Sequence, residues 1–542
     1  MMGLLQAQSP SRDAQPPFSV VEASIADIRR ALDQGRTTSR AITEQYLARL
    51  AQYNETLHAA ITISPTALAD ADARDRERRL RLARGALHGI PVAVKDNIQT
   101  LDMPTTGGAL AFRTLRAPYE ATLVGQLRQA GAIIIAKTTL TELANWVSPG
   151  MPTGYNAILG YSSNPYDLRR VRQGTIDVPV LLPGGSSSGI GTAASLWAAS
   201  VGSETSGSIL NPSNQTLLVG IKPTVGRISR YGVIPITADQ DTPGPMARSV
   251  ADAATMLGAL EASAPDAHDP ATRSCTPPPG RDYTRLLRTD GLRGARIGIP
   301  RAYFYDSEAS LGLSRRGGLP AAQQALMTEA IDAIRRAGAI VVDRANVPST
   351  VAIDPEHNVL EWPICSGADT IGPAPRACSI VLRYGMKRDF NAWLASLGTA
   401  APVRTLSELR TWNAAHEADG AIAFGQGQLD ASDAIDVERD AVRYRHDREK
   451  DLRLTRAEGI DAVLRAERLD ALLFPAHFGA SLAARAGYPS IIVPFPAPVR
   501  AGEPPTPFGV TFTGTACSEP RLITLAYAFE QATKRRVPPE LR

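Results

Sequence analysis

Six short apolar runs punctuate the chain: "GIPVAVKDN", "GAIIIAKTT", "ARIGIP", "GAIVVDR", "LDALLFPA" and "YPSIIVPF". Each is rich in Val, Ile or Leu and is bounded by Gly, Pro, Asp or Asn. Runs this short and this branched suit buried strands, where stiff side chains lose little freedom. Helical patterns lie between several of them. "EATLVGQLRQAGAIIIAKTTLTE" reads as helix, glycine turn and strand, and "ALMTEAIDAIRRAGAIVVDR" repeats that order. Strands alternating with helices predict an α/β fold built on a substantial central sheet.

The N-terminal part is helical. "SIADIRRALDQG" is closed by Gly35. "SRAITEQYLARLAQYN" carries Ile42, Tyr46, Leu47 and Leu50 at helical spacing, with Ser39 as its expected N-cap. The charged stretch "LADADARDRERRLRLARG" reads as a solvated helix and not as a binding patch. Residues 1–17, rich in Gln, Ser and Pro, read as a flexible leader, and 18–542 as a single domain. Residues 264–279 form a surface connection. Residues 355–460 are more helical and more charged, and suit a cap over the core. No internal repeat of fixed period is present.

A net charge of +4 on 542 residues is too small to argue for nucleic acid. No run of 18 apolar residues is present to span a membrane, and the N-terminus lacks the pattern of a signal peptide. Cys275, Cys365, Cys378 and Cys517 are far apart and form no CxxC pair. They read as buried, inert thiols, and the chain as cytoplasmic. There is no HExxH, and the seven histidines are isolated, so no metal site is expected.

The stretch "PGGSSSGIGTAASLWAASVGSETSGSIL", residues 183–210, holds several overlapping patterns. Gly185 to Gly189 matches the G-x-S-x-G nucleophile elbow, with Ser187 as nucleophile and His446 or His477 as base. Gly189 to Ala194 matches G-x-G-x-x-A, but no acidic residue follows at the distance a ribose needs. Ile190 stands where a phosphate-binding loop needs lysine. The plain reading of all three is a glycine-rich turn entering a small-residue helix that packs closely on a sheet.

Several ordered blocks give a more specific reading. "GIPVAVKDN" (89–97), "PGGSSSG" (183–189), "ETSGSI" (204–209), "GIKPTVGRISRYGVIP" and "QDTPGPMARSVADAA" follow one another in a pattern that resembles the amidase signature family. The likeness extends over residues 20–540. The resemblance implies a large mixed central sheet flanked by helices on both faces, and a Ser–cisSer–Lys triad. Ser208 matches the nucleophile, Ser186 the bridging serine after a cis peptide bond, and Lys95 the base. Backbone N–H groups of Thr205, Ser206, Gly207 and Ser208 match the oxyanion hole, and Asn145 and Trp146 the acyl side of the cleft. For Trp146 the competing reading is core packing. No metal or organic cofactor is implied.

The chemistry suits these residue types. A serine hydroxyl needs a base to take its proton. Lysine serves only when neutral, and burial favours the neutral amine. The implied reaction is hydrolysis of an amide C–N bond through an acyl-enzyme, with a carbamate as the alternative substrate. The implied partner is a small-molecule amide or carbamate, with the protein a monomer or homodimer and no nucleic acid or membrane involved. An amidotransferase subunit, a nucleotide-binding protein and a catalytically silent binding protein are the rivals. Two departures stand out. Ser206 occupies a position where the family carries Gly or Asp, and "LRRVRQGTIDVPVLL" (168–182) is an insertion expected to form a flap or hairpin at the site mouth.

Overall fold

All six apolar runs become strands of one sheet. The computed structural model describes residues 17–174, 176–185, 187–308, 316–366, 377–498 and 503–541. Its central sheet has 11 strands. In chain order these are β1 (Ala60–Ile63), β2 (Pro91–Lys95), β3 (Ile133–Thr138), β4 (Ser200–Glu204), β5 (Val219–Lys222) and β6 (Thr242–Ala247). They continue with β7 (Arg296–Ile299), β8 (Ile340–Asp343), β9 (Ala471–Pro475), β10 (Ser490–Pro494) and β11 (Gly509–Thr513). Across the sheet the order is β1-β3-β2-β4-β6-β5-β10-β11-β9-β7-β8.

The sheet is mixed, as expected. β3, β2 and β4 are mutually parallel, as are β9, β7 and β8, and the remaining pairs are antiparallel. Every residue of β2, β3, β4, β9, β10 and β11 is buried, so both faces of the sheet are covered there.

Two strands depart from simple strand chemistry. The small-residue helix expected after Gly189 is only Gly189–Ala193, and the chain then enters β4. Trp197, fully buried, lies so close to Gly191 that a Cβ there would sit 2.1 Å from the indole. The helix stops before Ser195, whose φ is +53°. β6 carries Pro243 and Pro245 in the middle of the sheet. They occupy alternate positions, so both missing N–H groups fall on one edge. β6 pairs with β4 over Thr242–Met246 but with β5 only at Met246 and Ala247, which leaves an edge where the prolines break no ladder.

The helical N-terminal part follows the sequence with one shift. Helices occupy Ile25–Asp33, Ser39–Leu57 and Ala67–Arg79, and Gly35 takes φ +66° just past the first. The second is capped by Thr38 and not by Ser39. Thr38 is extended and its hydroxyl accepts the Ala41 N–H, while Ser39 is already helical and buried, its N–H on Asp75.

Helices at Val381–Ser396, Leu406–Ala415, Gly427–Asp433 and Ala441–Leu452 fall within the cap-like region. A second apolar cluster, including Phe112, Trp146, Phe390, Trp393 and Leu409, joins the first three of them to the segment after β2.

The cysteine expectation fails. Cys275 bonds Cys517 and Cys365 bonds Cys378, with Cα atoms 5.5 and 5.1 Å apart. The first bridge joins residues 242 apart in sequence, a proximity that only the fold creates.

Arg227 fastens the core at depth. Its guanidinium contacts Glu261 at 2.7 Å and Glu519 at 2.8 Å, and donates to the Tyr283 hydroxyl at 2.6 Å. Both carboxylates are buried. Arg227→Met strands both, and such losses cost about 3–5 kcal/mol. A urea or thermal unfolding curve is expected to show the folded state weakened by that order.

Candidate active site

β2 and β4 run side by side and parallel, with Ala93 opposite Ser200 and Val94 opposite Val201. Lys95 therefore ends its strand beside the end of β4, inside the sheet and fully buried. Its Nζ donates to the Ser203 carbonyl at 3.1 Å and the Ser203 Oγ at 3.0 Å. Asn97 Nδ2 donates to that Oγ at 2.9 Å. Burial pushes the lysine down to about 7, against the pull of the Asp241 and Glu204 carboxylates.

β4 runs straight into the turn Thr205–Ser208. Glu204 Oε2 accepts the N–H groups of Ile209 and Leu210 at 2.8 and 3.0 Å, which folds the chain back after Ser208. Asp241, immediately before β6, accepts the Thr205 hydroxyl and the N–H groups of Ile236 and Thr237. Gln240 Nε2 holds the Thr205 carbonyl at 3.1 Å. Gly207 sits at φ +83°, a conformation that glycine adopts without strain. Among the described residues the N–H groups of Ser206, Gly207 and Ser208 make no hydrogen bond. They are positioned as one turn with no internal claim on its donors.

Ser208 is half-buried. A Cβ at Gly185 would come 2.9 Å from its Oγ, so this hydroxyl lies against the glycine stretch just before Ser186. Ser186, and with it the cis bond expected before it, lies outside the described residues. Ser187 is fully buried, and its Oγ donates to the Gly184 carbonyl at 3.0 Å. His446 is exposed and contacts Asp447. The elbow arrangement of Ser187 with His446 is therefore not assembled.

Asn145 and Trp146 occupy a strained segment. Leu143, Ala144 and Asn145 all have positive φ, at +43°, +57° and +69°. Trp146 is 6% exposed, packs within the second apolar cluster and donates Nε1 to Ser432 Oγ at 3.0 Å. Asn145 is half-buried with Oδ1 unpartnered among the described residues. Their neighbour Ala144 borders a small cavity with Asn97, Ser203, Thr205 and Asp241.

A larger cavity, about 380 Å³, opens beside Ser206 and Gly207. Tyr303, Phe304, His477 and Phe478 also line it. His477, a base candidate in the elbow reading, thus approaches the turn from another direction, and burial pushes its imidazole down to about 4. The 168–182 insertion does form a hairpin, Arg170–Gln173 paired with Ile176–Pro179. None of its described residues lines this cavity.

Sequence reasoning missed two further buried lysines. Lys137, next door on β3, pairs with buried Asp96 at 3.1 Å. Lys222 donates to the Ala483 and Tyr488 carbonyls and is pushed down to about 8 by burial. "IIIAKT" has the same strand-ending lysine as "PVAVK", so the signal was present, but its partner was not readable. Among the described residues no group of three or more His, Cys, Asp or Glu could hold a metal ion.

Comparison with known proteins gives matches of family and of overall fold. A family model described as Amidase matches residues 41–359. A probable amidase of Arabidopsis thaliana is 34% identical over 530 residues, covering 96% of this chain and 92% of the relative. The solved native peptide amidase of Stenotrophomonas maltophilia is 37% identical, with a TM-score of 0.82, covering 97% of this chain and 99% of that one. An amidase family protein of Bacillus anthracis is 30% identical with a TM-score of 0.80, over 96% and 93% of the two chains.

Proposed function

The chain belongs to the amidase signature family, and on that premise we propose that it hydrolyses carboxamides with Ser208 as nucleophile, Ser186 as proton bridge and Lys95 as base. The observation that carries this reading is the Lys95 amine, held inside the sheet near the midpoint of its titration at neutral pH and one strand from the Ser208 turn.

Ser208 Oγ attacks the carbonyl carbon. Its proton passes to Ser186 as the Ser186 proton passes to Lys95 Nζ. The carbonyl oxygen takes up negative charge against the N–H groups of the 205–208 turn, where removing one such donor costs about 3–4 kcal/mol. The C–N bond then breaks, and the proton returns through Ser186 to the departing nitrogen. An ester on Ser208 remains. Water attacks it, giving its proton along the same relay, and the acid leaves as Ser208 regains its hydrogen.

The substrate class we propose is the primary amide of an acylated amino acid or short peptide. Its support is the likeness to solved peptide amidases along nearly the full length of both chains. A release assay over primary amide, anilide, ester and carbamate substrates tests it. Ammonia release from N-acetylamino-acid amides should exceed turnover of a matched carbamate by about tenfold or more. Equal or faster carbamate turnover would replace this substrate reading.

A further inference from the structure

The cavity of about 380 Å³ beside Ser206 and Gly207 is walled mainly by aromatic rings and small residues among the described residues. Tyr303 and Phe304 come from the connection after β7, and His477 and Phe478 from the connection after β9; Ser206 and Gly207 close it on the side of the nucleophile's turn. Phe304 meets Tyr303 edge-on at 5.3 Å and is backed by Phe474 at 4.8 Å. His477 meets Phe478 edge-on at 5.6 Å. Phe304 is 3% exposed and fixed, whereas Phe478 is 40% exposed, a large ring left open at the rim. No charged side chain lines the cavity among the described residues.

The geometry points to a side-chain pocket: this cavity receives the side chain of the residue that carries the scissile carboxamide, and it selects an uncharged aromatic one. The assignment rests on the primary-amide reading above. When the leaving group is ammonia, nothing on the departing side needs this room, so the bulk beside the turn belongs to the acyl side. An apolar cavity of about 150 Å³ already admits benzene. About 380 Å³ admits a benzyl or phenol side chain with part of the adjoining peptide unit. Edge-on ring pairs on both sides, Tyr303 with Phe304 and His477 with Phe478, present the geometry that aromatic guests favour.

His477 keeps the wall neutral. Its Nδ1 is buried with no hydrogen-bond partner among the described residues. A second proton on the ring would find no acceptor there, and burial holds the imidazole uncharged across the neutral range. A charged guest would lose its hydration and meet no counter-charge among the described residues, and this disfavours acidic and basic side chains.

The test uses the purified full chain, ammonia release, and the amides of N-acetyl-Phe, N-acetyl-Gly, N-acetyl-Lys and N-acetyl-Asp. For the unmodified enzyme, kcat/KM for the Phe amide should exceed that for the Gly, Lys and Asp amides by about tenfold or more. Phe478→Ala should lower the Phe-to-Gly ratio by about fivefold or more. His477→Asp places a carboxylate in the wall and should raise the Lys-to-Phe ratio by about tenfold or more, a gain that a damaged fold would not produce. The pocket is overturned if the enzyme does not prefer the Phe amide, or if both ratios stay within about twofold of the unmodified enzyme in the variants. If none of the four amides is cleaved, the primary-amide reading itself falls and the pocket with it. Cleavage of all four at similar rates removes the pocket alone.

Discussion

Ser208→Ala loses amide turnover by about 10⁴-fold or more. The substitution removes a single oxygen from a half-buried position and leaves the Glu204 clasp on Ile209 and Leu210 untouched. The remaining rate is what the N–H groups of the turn and simple binding supply to attack by water. Ser187→Ala is the matched control. That hydroxyl is buried on the Gly184 carbonyl, and its loss should change kcat/KM by about twofold or less. Fluorophosphonate labelling followed by peptide mapping gives an independent readout: the adduct belongs on the peptide's Ser208. An adduct on Ser187, with full activity in Ser208→Ala, would restore the elbow reading and end this one.

The second large effect concerns Lys95. Only the neutral amine accepts a proton, and burial sets its titration at about 7. kcat/KM should therefore be flat above about pH 8 and fall about tenfold per unit below about pH 6. Lys95→Ala should remove both the acid limb and about 10³-fold or more of the rate, and Lys95→Arg should not restore it, since guanidinium keeps its proton. Stability should move the other way. The folded pKa lies below the ordinary lysine value of about 10.4, so the unfolded chain binds this proton more tightly. The resulting penalty is full below about pH 7 and fades as pH rises toward the unfolded value. Lys95→Met should thus be inactive yet unfold at a higher temperature than the parent enzyme at pH 6. A lower unfolding temperature, or a rate profile without an acid limb near neutrality, would remove Lys95 from the role of base.

Much of the sheet was legible because most of its strands are short runs of branched apolar residues. "AIIIAK", "RIGI" and "ALLFP" have length, branching and boundaries that agree. β4 and β6 were not. β4 is Ser-Val-Gly-Ser-Glu, and its small side chains read as part of a helix packed on a sheet. β6 holds two prolines, tolerated because the neighbouring strand leaves that edge unpaired at their positions. These are the strands that carry or brace the Ser208 turn, so local preference yields to placement where the site is built.

The candidate site divides in the same way. Lys95 and Ser208 stand out through ordered motifs. Asp241 lay inside a quoted motif without a role, and only the fold brings it onto the Thr205 hydroxyl. Tyr303 and His477 are far apart in sequence and share a cavity only because β7 and β9 are adjacent. The cysteines teach the same lesson in reverse. Spacing suggested four separate thiols and supported a reducing compartment, and with both pairs bonded that support is gone.

The sheet order has a historical corollary. Lys95 and the Ser208 turn, the proposed base and nucleophile, are held by β2 and β4 on one wing of the sheet, while the aromatic wall hangs from connections after β7 and β9, on the opposite wing. Substitutions in those two connections leave the reacting wing's strands as they are. The walls of that cavity can therefore diverge between relatives on an unchanged sheet, because they belong to loops and not to the strands.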